Sequence, residues 1–432
     1  MKGRVGSVWE DLSSPGPECP SLTGTATADV VIVGAGLLGL SSALHAARAG
    51  LSVILIEAET AGFGASGRNT GFVVPSLRPE MSPSAVEQKL GERHAGRLLR
   101  LVAGSGDTVR RLVAENRLDC GFEQTGWLQP AHCARLEADL RGRVAPLRGS
   151  GLDVAFVERD EMVAMTGIRG LHGGLRVASG GQINPLAYAR GLAGACMAAG
   201  VRIFAQSPAV AISRIAGTWH VRTPDGEAAA PRVLMTTNAM IGNLLPKLRD
   251  SIVPVRLFQI ATNRLPAELR TRILPANSPV ADTRRHTFAL RWSPDGRLIT
   301  GGMVAFGPGR DRRAKARFTA RIRRFVPEVG AIRAEYVWSG TIAATLDALP
   351  RLMQLDDGLL AAIGCNGRGV ALTSTLGEAI GDLLGGRTEQ KDFVLPITGP
   401  RRIPFGRWSG IGPHLWLPLS DFRDDREARS NG

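Results

Sequence analysis

The chain has few of the groups that enzymes use for acid–base or nucleophilic work. Its 432 residues include two tyrosines, Tyr188 and Tyr336, seven histidines and five cysteines. No Ser/His/Asp arrangement and no cluster with metal-ligand spacing stands out, so neither triad chemistry nor a metal site is expected. Cys19, Cys120, Cys133, Cys196 and Cys365 are scattered and contain no C-x-x-C pair, which points to a reduced, cytoplasmic setting without a structural metal. No run of 18 apolar residues occurs, which argues against a membrane-spanning helix. The opening MKGRVGSVWEDLSS lacks the apolar core of a secretory signal.

Arginine, by contrast, is abundant, and the formal charge is +14. A basic field attracts polyanions. Here the arginines are dispersed, with short clusters at Arg310 to Arg317, Arg321 to Arg324 and Arg401 to Arg407. Without interleaved aromatics or a nucleic-acid motif, the charge reads as a solvated surface and no nucleic-acid partner is expected. A hydrophobic content of 44% over this length supports a sizeable core and two domains.

The most informative stretch runs from Asp29 to Phe72. A β-branched strand, Asp29 to Val33, leads into Gly34, Gly36 and Gly39 of a G-x-G-x-x-G fingerprint. Gly34 permits the tight turn, Gly36 lets a pyrophosphate approach the backbone, and Gly39 lets the helix lie close to the sheet. The helix expected from Leu37 to Ala49 starts with Leu37 and Leu38 and stops at Gly50; its N-terminal amides would face phosphates. A second strand, Val53 to Ile56, ends on Glu57 and Ala58, with Glu57 placed to accept the hydroxyls of an unphosphorylated ribose. A dinucleotide site follows.

A second glycine-rich loop, AGFGASGRNTG at 61–71, follows that strand. Gly64, Ala65, Ser66, Arg68 and Asn69 supply flexible backbone and hydrogen-bond donors for phosphates and ring edges. Near the other end, Leu359 to Ile363 reads as a strand. Gly364, Asn366, Gly367 and Gly369 then form a tight loop, and Val370 begins a helix running to Leu384. Its N-terminus offers a second site of partial positive charge. Between these segments, Asn184 and Pro185 cap and start a helix that ends at Gly200, and Val201 to Phe204 is a strand. Trp219 to Thr223 and Val233 to Thr237 are expected to pair as a hairpin around Pro224, Asp225 and Gly226. Arg97 to Ala114 reads as one amphipathic helix, and Val253 to Thr262 and Thr287 to Trp292 as strands.

With its GASGRN loop, the chain resembles the D-amino-acid oxidase-like FAD-dependent oxidoreductases, in the bacterial gamma-glutamylputrescine oxidoreductase-like branch. GGQINPLAYARGLAGACMAAGVRI at 180–203, DGRLITGG at 295–302, WSGTIAATLDALPRL at 338–352 and GCNGRG at 364–369 match the family's later landmarks in order. The resemblance implies an α/β (α+β overall) architecture, with a Rossmann-like FAD-binding domain interleaved with a substrate domain built on a mostly antiparallel sheet. The FAD-binding domain is expected at 27–82, 180–240 and 338–400, and the substrate domain at 83–179 and 241–337. An extension at 1–26 and a tail at 401–432 complete the chain.

The resemblance further implies oxidation of a C–N bond in an amine or amino acid. A hydride passes to the flavin, the imine hydrolyses, and molecular oxygen or another acceptor takes the electrons. Some relatives attach flavin covalently through a cysteine near Ile342 and Ala343 or a histidine near Arg68 and Asn69. Those residue types are missing there, so FAD is expected to be non-covalent, with Cys365 a packing residue. Related sarcosine oxidases activate oxygen with a lysine, and none of Lys2, Lys89, Lys247, Lys315 and Lys391 sits in a matching strand. Where that branch carries a Tyr-Tyr-Arg-like run at the pocket, this chain has Phe288, Ala289, Leu290 and Arg291, and the hydroxyls are missing. Arg291 is the candidate to grip a substrate carboxylate, and His286 a candidate pocket group. On that basis Arg291→Ala would raise the apparent KM with little loss of FAD. Two further readings stay open: a flavoprotein subunit without turnover of its own, and an NAD-linked dehydrogenase.

Overall fold

The structure, a computed structural model, describes residues 6–403 and 412–429. Arg407 of the last arginine cluster lies outside them.

Residues 30–33 are apolar and fully buried, as a central parallel strand requires, and form β1 (Val30–Val33). The turn at Gly34 leads into α1 (Leu37–Arg48), which closes at Ala49 before Gly50 takes a left-handed φ of 92°. β2 (Val53–Ile56) pairs in parallel with β1. The helix expected at 97–114 is interrupted: α2 (Pro83–Ala103) ends at Gly104 and α3 (Ser105–Glu115) begins. Glycine holds a helix weakly, and the Ser105 hydroxyl donates to the Val102 carbonyl at 2.6 Å, competing with continuous helix at the joint. β3 (Trp127–Pro130) follows.

α4 (Pro185–Ala198) starts as its sequence dictates, with the Asn184 side chain accepting from the Leu186 and Ala187 amides at 3.1 Å each. β4 (Arg202–Phe204) pairs in parallel with β2. The hairpin differs from expectation. Thr218–Arg222 pairs with Gly226–Ala230, and the apolar run beyond it becomes β5 (Arg232–Met235), parallel to β1. Alanine favours strands little, so residues 228–230 carried no strand signal, whereas the run at 233–235 suits a buried parallel strand equally well.

The remaining chain supplies β6 (Val253–Thr262), β7 (Ala289–Trp292), β8 (Leu298–Gly302), α5 (Arg310–Phe325) and β9 (Ala334–Ala344). It closes with β10 (Arg351–Asp356), β11 (Leu359–Ile363), α6 (Gly369–Leu384), β12 (Ile397–Thr398) and α7 (Gly412–Arg429). One seven-stranded sheet runs β12-β10-β11-β5-β1-β2-β4, with a parallel centre. An eight-stranded sheet begins β9-β6-β8-β7 and continues through Val280–Ala281, β3, Gly174–Val177 and Val154–Val157, mostly antiparallel. Thus both inserts contribute strands to one sheet. The boundary expected at 338 falls inside β9, which belongs to that second sheet.

α1 and α6 pack together beneath the first sheet, tied where the Ser41 hydroxyl donates to the Ser374 carbonyl at 2.6 Å. Among the described residues no helix is long and apolar enough to cross a membrane.

Candidate cofactor and substrate cleft

A cleft of about 390 Å³ opens between the two sheets. That volume lies within the ~300–1,000 Å³ range of small-molecule and cofactor sites. One side is built by Gly36, Leu37 and Leu38 at the start of α1, by Ala65, Ser66 and Asn69, and by Gly364 to Val370 at the start of α6. Val255, Leu257 and Gln259 of β6, Ala289 of β7, and Ile342 and Ala344 of β9 form the facing side.

The residues on the first side fit a dinucleotide. A Cβ on Gly36 would stand 2.8 Å from Ser66 Oγ, and one on Gly39 only 2.0 Å from the Gly34 carbonyl, so the turn admits no side chain. Neither α1 nor α6 has a side-chain cap from its own N-cap residue, and both helix starts line the cleft. The Glu57 carboxylate accepts from the Ala35 amide at 2.7 Å and the Glu59 amide at 3.0 Å. Burial raises its pKa, against the pull of those amides.

Other members of the two loops serve as scaffolding. Asn69 donates to the Ala65 and Ser66 carbonyls at 3.2 and 2.6 Å and accepts from the Gly71 amide at 2.7 Å. Arg68 stacks on Phe63 at 4.2 Å and does not line the cleft, nor do Ala58 and Gly64. Asn366, at φ 51°, accepts from the Thr345 amide at 2.9 Å and donates to the Gly364 carbonyl at 2.6 Å, closing the second glycine loop.

Of the two residues expected at the substrate, one is in the cleft. His286 lines it, with Nε2 2.5 Å from the Ser420 hydroxyl of α7, and burial lowers its pKa. Arg291 does not line it. It is buried, with its guanidinium donating to the carbonyls of Thr70, Gly71 and Ile183 at 3.1, 2.9 and 2.7 Å and to that of Trp292 at 3.0 Å. The expected carboxylate role therefore fails on geometry. Arg291 instead ties β7 to the end of the AGFGASGRNTG loop, and burial drives its pKa down to about 9.

Three other arginines line the cleft: Arg78, Arg285 and Arg368. Arg285 is paired with Asp424 at 2.6 Å and Glu427 at 2.9 Å, and Arg78 with Glu80 at 2.5 Å. Arg368 lies inside the GCNGRG motif, and one signal could have singled it out: a cation at a helix N-terminus is electrostatically misplaced.

Such a cleft defines a class of proteins that hold a dinucleotide on a parallel sheet and cover its reactive end with a second, antiparallel one. The chain belongs to the FAD-dependent oxidoreductase family, whose sequence profile, "FAD dependent oxidoreductase", matches residues 29–383, and its cofactor is FAD. A probable oxidoreductase of Rhizobium meliloti, OrdL, is 30% identical over 398 residues, spanning 91% of this chain and 92% of that protein. Gamma-glutamylputrescine oxidoreductase of Escherichia coli is 29% identical over 395 residues, spanning 89% and 92%. The crystal structure of glycine oxidase from Geobacillus kaustophilus shares the fold, with a TM-score of 0.71 at 23% identity over 87% of this chain and 99% of that one.

Proposed function

We propose that the protein oxidises the C–N bond of an amine or amino acid. The observation that carries this reading is the chemical contrast across the cleft: amide-rich helix starts on one side, and on the other a wall of Val255, Leu257, Ala289, Ile342 and Ala344, apolar but for Gln259. An apolar wall excludes water and orients a substrate carbon without supplying acid or base, which suits hydride chemistry. Bound FAD supplies the hydride acceptor for the carbon beside a neutral amine, and water then hydrolyses the released imine. Relatives named gamma-glutamylputrescine oxidoreductase and glycine oxidase support this substrate range.

Within this reading, the Gly34–Gly39 turn and the α1 amides hold the pyrophosphate, Glu57 accepts the ribose hydroxyls, and Ser66 borders the phosphates. The 364–370 loop and the α6 N-terminus face the flavin and favour the negative charge it gains on reduction. His286, whose pKa burial lowers, lines the substrate end.

FAD is held without a covalent bond. Ile342 and Ala343, Arg68 and Asn69 offer no attaching group, and burial raises the pKa of the Cys365 thiol away from the thiolate form. Acid precipitation is expected to leave the yellow colour in the supernatant; a yellow pellet would overturn this. No lysine lines the cleft among the described residues, and the electron acceptor is molecular oxygen or another carrier, which stopped-flow reoxidation in air separates. The function itself is tested by anaerobic titration of the holoenzyme with putrescine derivatives, N-methyl amino acids, cyclic imino acids and D-amino acids. Loss of flavin absorbance with at least one amine is expected, and none with any would sink the reading.

A further inference from the structure

We infer that His132, Cys133 and Glu427 form a second binding site, for a zinc ion, that clips α7 to the segment following β3. Spacing in the chain gives no hint of it, since His132 and Cys133 are neighbours and Glu427 lies close to the C-terminus. The fold brings them together: one ligand atom from each, an imidazole nitrogen, a sulfur and a carboxylate oxygen, lies within 4.8 Å of the other two.

The geometry of His132 and Glu427 is the main support. His132 is 1% exposed, and its Nε2 is buried without a hydrogen-bond partner. Glu427 Oε2 stands 3.5 Å from that atom, too far to bond it directly. Two atoms that each bind one zinc ion at about 2.0–2.1 Å in a tetrahedral shell stand about 3.4 Å apart, so this pair is already spaced as ligands. Burial, aided by Arg284, also lowers the His132 pKa and favours the neutral ring that binds metals.

Cys133 is 1% exposed and occupies the N-cap of the helix Ala134–Gly149 without a side-chain cap hydrogen bond. A metal-bound thiolate there meets the positive end of the helix macrodipole. Neighbours hold the other two ligands in place. His132 Nδ1 is 2.9 Å from the Thr283 hydroxyl, and Arg285 donates to both Glu427 oxygens at 2.9 Å, leaving each oxygen a further lone pair. Asp282 and Asp424, paired with Arg284 and Arg285, offset those cations, and Arg135 stands 3.9 Å from Glu427.

A mixed sulfur, nitrogen and oxygen set selects zinc over magnesium or calcium, which take oxygen ligands. The Glu427 side chain is 25% exposed, which gives the ion a way in and a water for its fourth position. None of the three ligands lines the cleft, so the ion is structural. It fastens α7, whose contacts Arg285 and His286 do line the cleft.

For the test, the holoenzyme is freed of metal with a chelator, desalted and titrated with zinc chloride by isothermal calorimetry, with magnesium chloride as the control. One zinc ion per chain is expected to bind with a Kd of about 1 μM or below, and magnesium not measurably at the same concentrations. Cys133→Ser should weaken zinc binding by more than the roughly 10- to 100-fold that loss of a supporting residue costs. So should His132→Asn, which deletes Nε2 while keeping a polar atom toward Thr283. Thr283→Val, a supporting change, should cost about tenfold. Zinc should slow proteolytic release of the C-terminal segment in the wild type but not in Cys133→Ser, because a ligand bound only by the folded state stabilises it. FAD content identifies any variant that fails to fold, and Cys133→Ser, a change of one atom, then carries the comparison.

No zinc binding, a zinc affinity unchanged in Cys133→Ser and His132→Asn, or bound zinc that leaves wild-type proteolysis unaltered would overturn the inference, the second result marking an adventitious surface ion. These readouts need no turnover, so the inference stands or falls apart from the reading of the cleft.

Discussion

Arg291 shows how one side chain can look functional in sequence and be structural in space. Its guanidinium donates to four backbone carbonyls, three of them in segments far from β7 in the chain. Arg291→Met would remove this donor from all four carbonyls, of which that of Gly71 still accepts from the Ile183 amide at 2.8 Å. Each unsatisfied group costs roughly 1–3 kcal/mol, so the variant should unfold at clearly lower urea and lose FAD on desalting. A variant with wild-type stability and FAD content but a raised KM would restore the substrate role. The glycines of the first turn were legible from sequence because a backbone constraint leaves its mark in residue type. The use of an arginine was not, since the same side chain serves carbonyl, carboxylate or solvent according to what the fold brings near it.

At the scale of elements, the strands and helices whose ends carry caps or glycines were readable to within a residue or two, as at α1, β2, β6, β11 and α6. Where a strand is rich in alanine, as at 228–230, the sequence carried no signal, and β5, expected in the hairpin, belongs to the central sheet. α7 was visible only as a tail. It lies beyond the 29–383 span matched by the family profile and is held by ion pairs from Asp421 to Arg317, Asp424 and Glu427 to Arg285, and Asp425 to Arg324. Since Arg285 and His286 line the cleft, this helix supports that part of the cleft from behind. Asp424→Asn combined with Glu427→Gln should speed proteolytic cleavage of the C-terminal segment while leaving the FAD spectrum intact. High salt should speed wild-type cleavage in the same direction, because partly exposed pairs are screened. An unchanged digestion rate in both cases would show that apolar contacts, such as buried Leu417, hold the helix instead.

Over the whole molecule, the interleaved two-sheet plan was legible because the order of several weak landmarks carries more information than any one of them. The way strands from both inserts merge into a single sheet was not, since long-range pairing leaves no local mark. β11 and the loop after it stand beside β5 and close the cleft. A chain ending at Asp357, without β11 and α6, should therefore be recovered free of flavin; a yellow truncated product would contradict this.

That placement of β11 and α6 also sets a timetable. Chains leave the ribosome from the N-terminus, and domains generally fold as units. The glycine turn after β1 therefore emerges well before its companion loop at Gly364 to Val370. Until that loop follows, the polypeptide carries half a nucleotide cradle with nothing opposite. A cradle assembled from such distant segments can close on its cofactor only after the later one has been made.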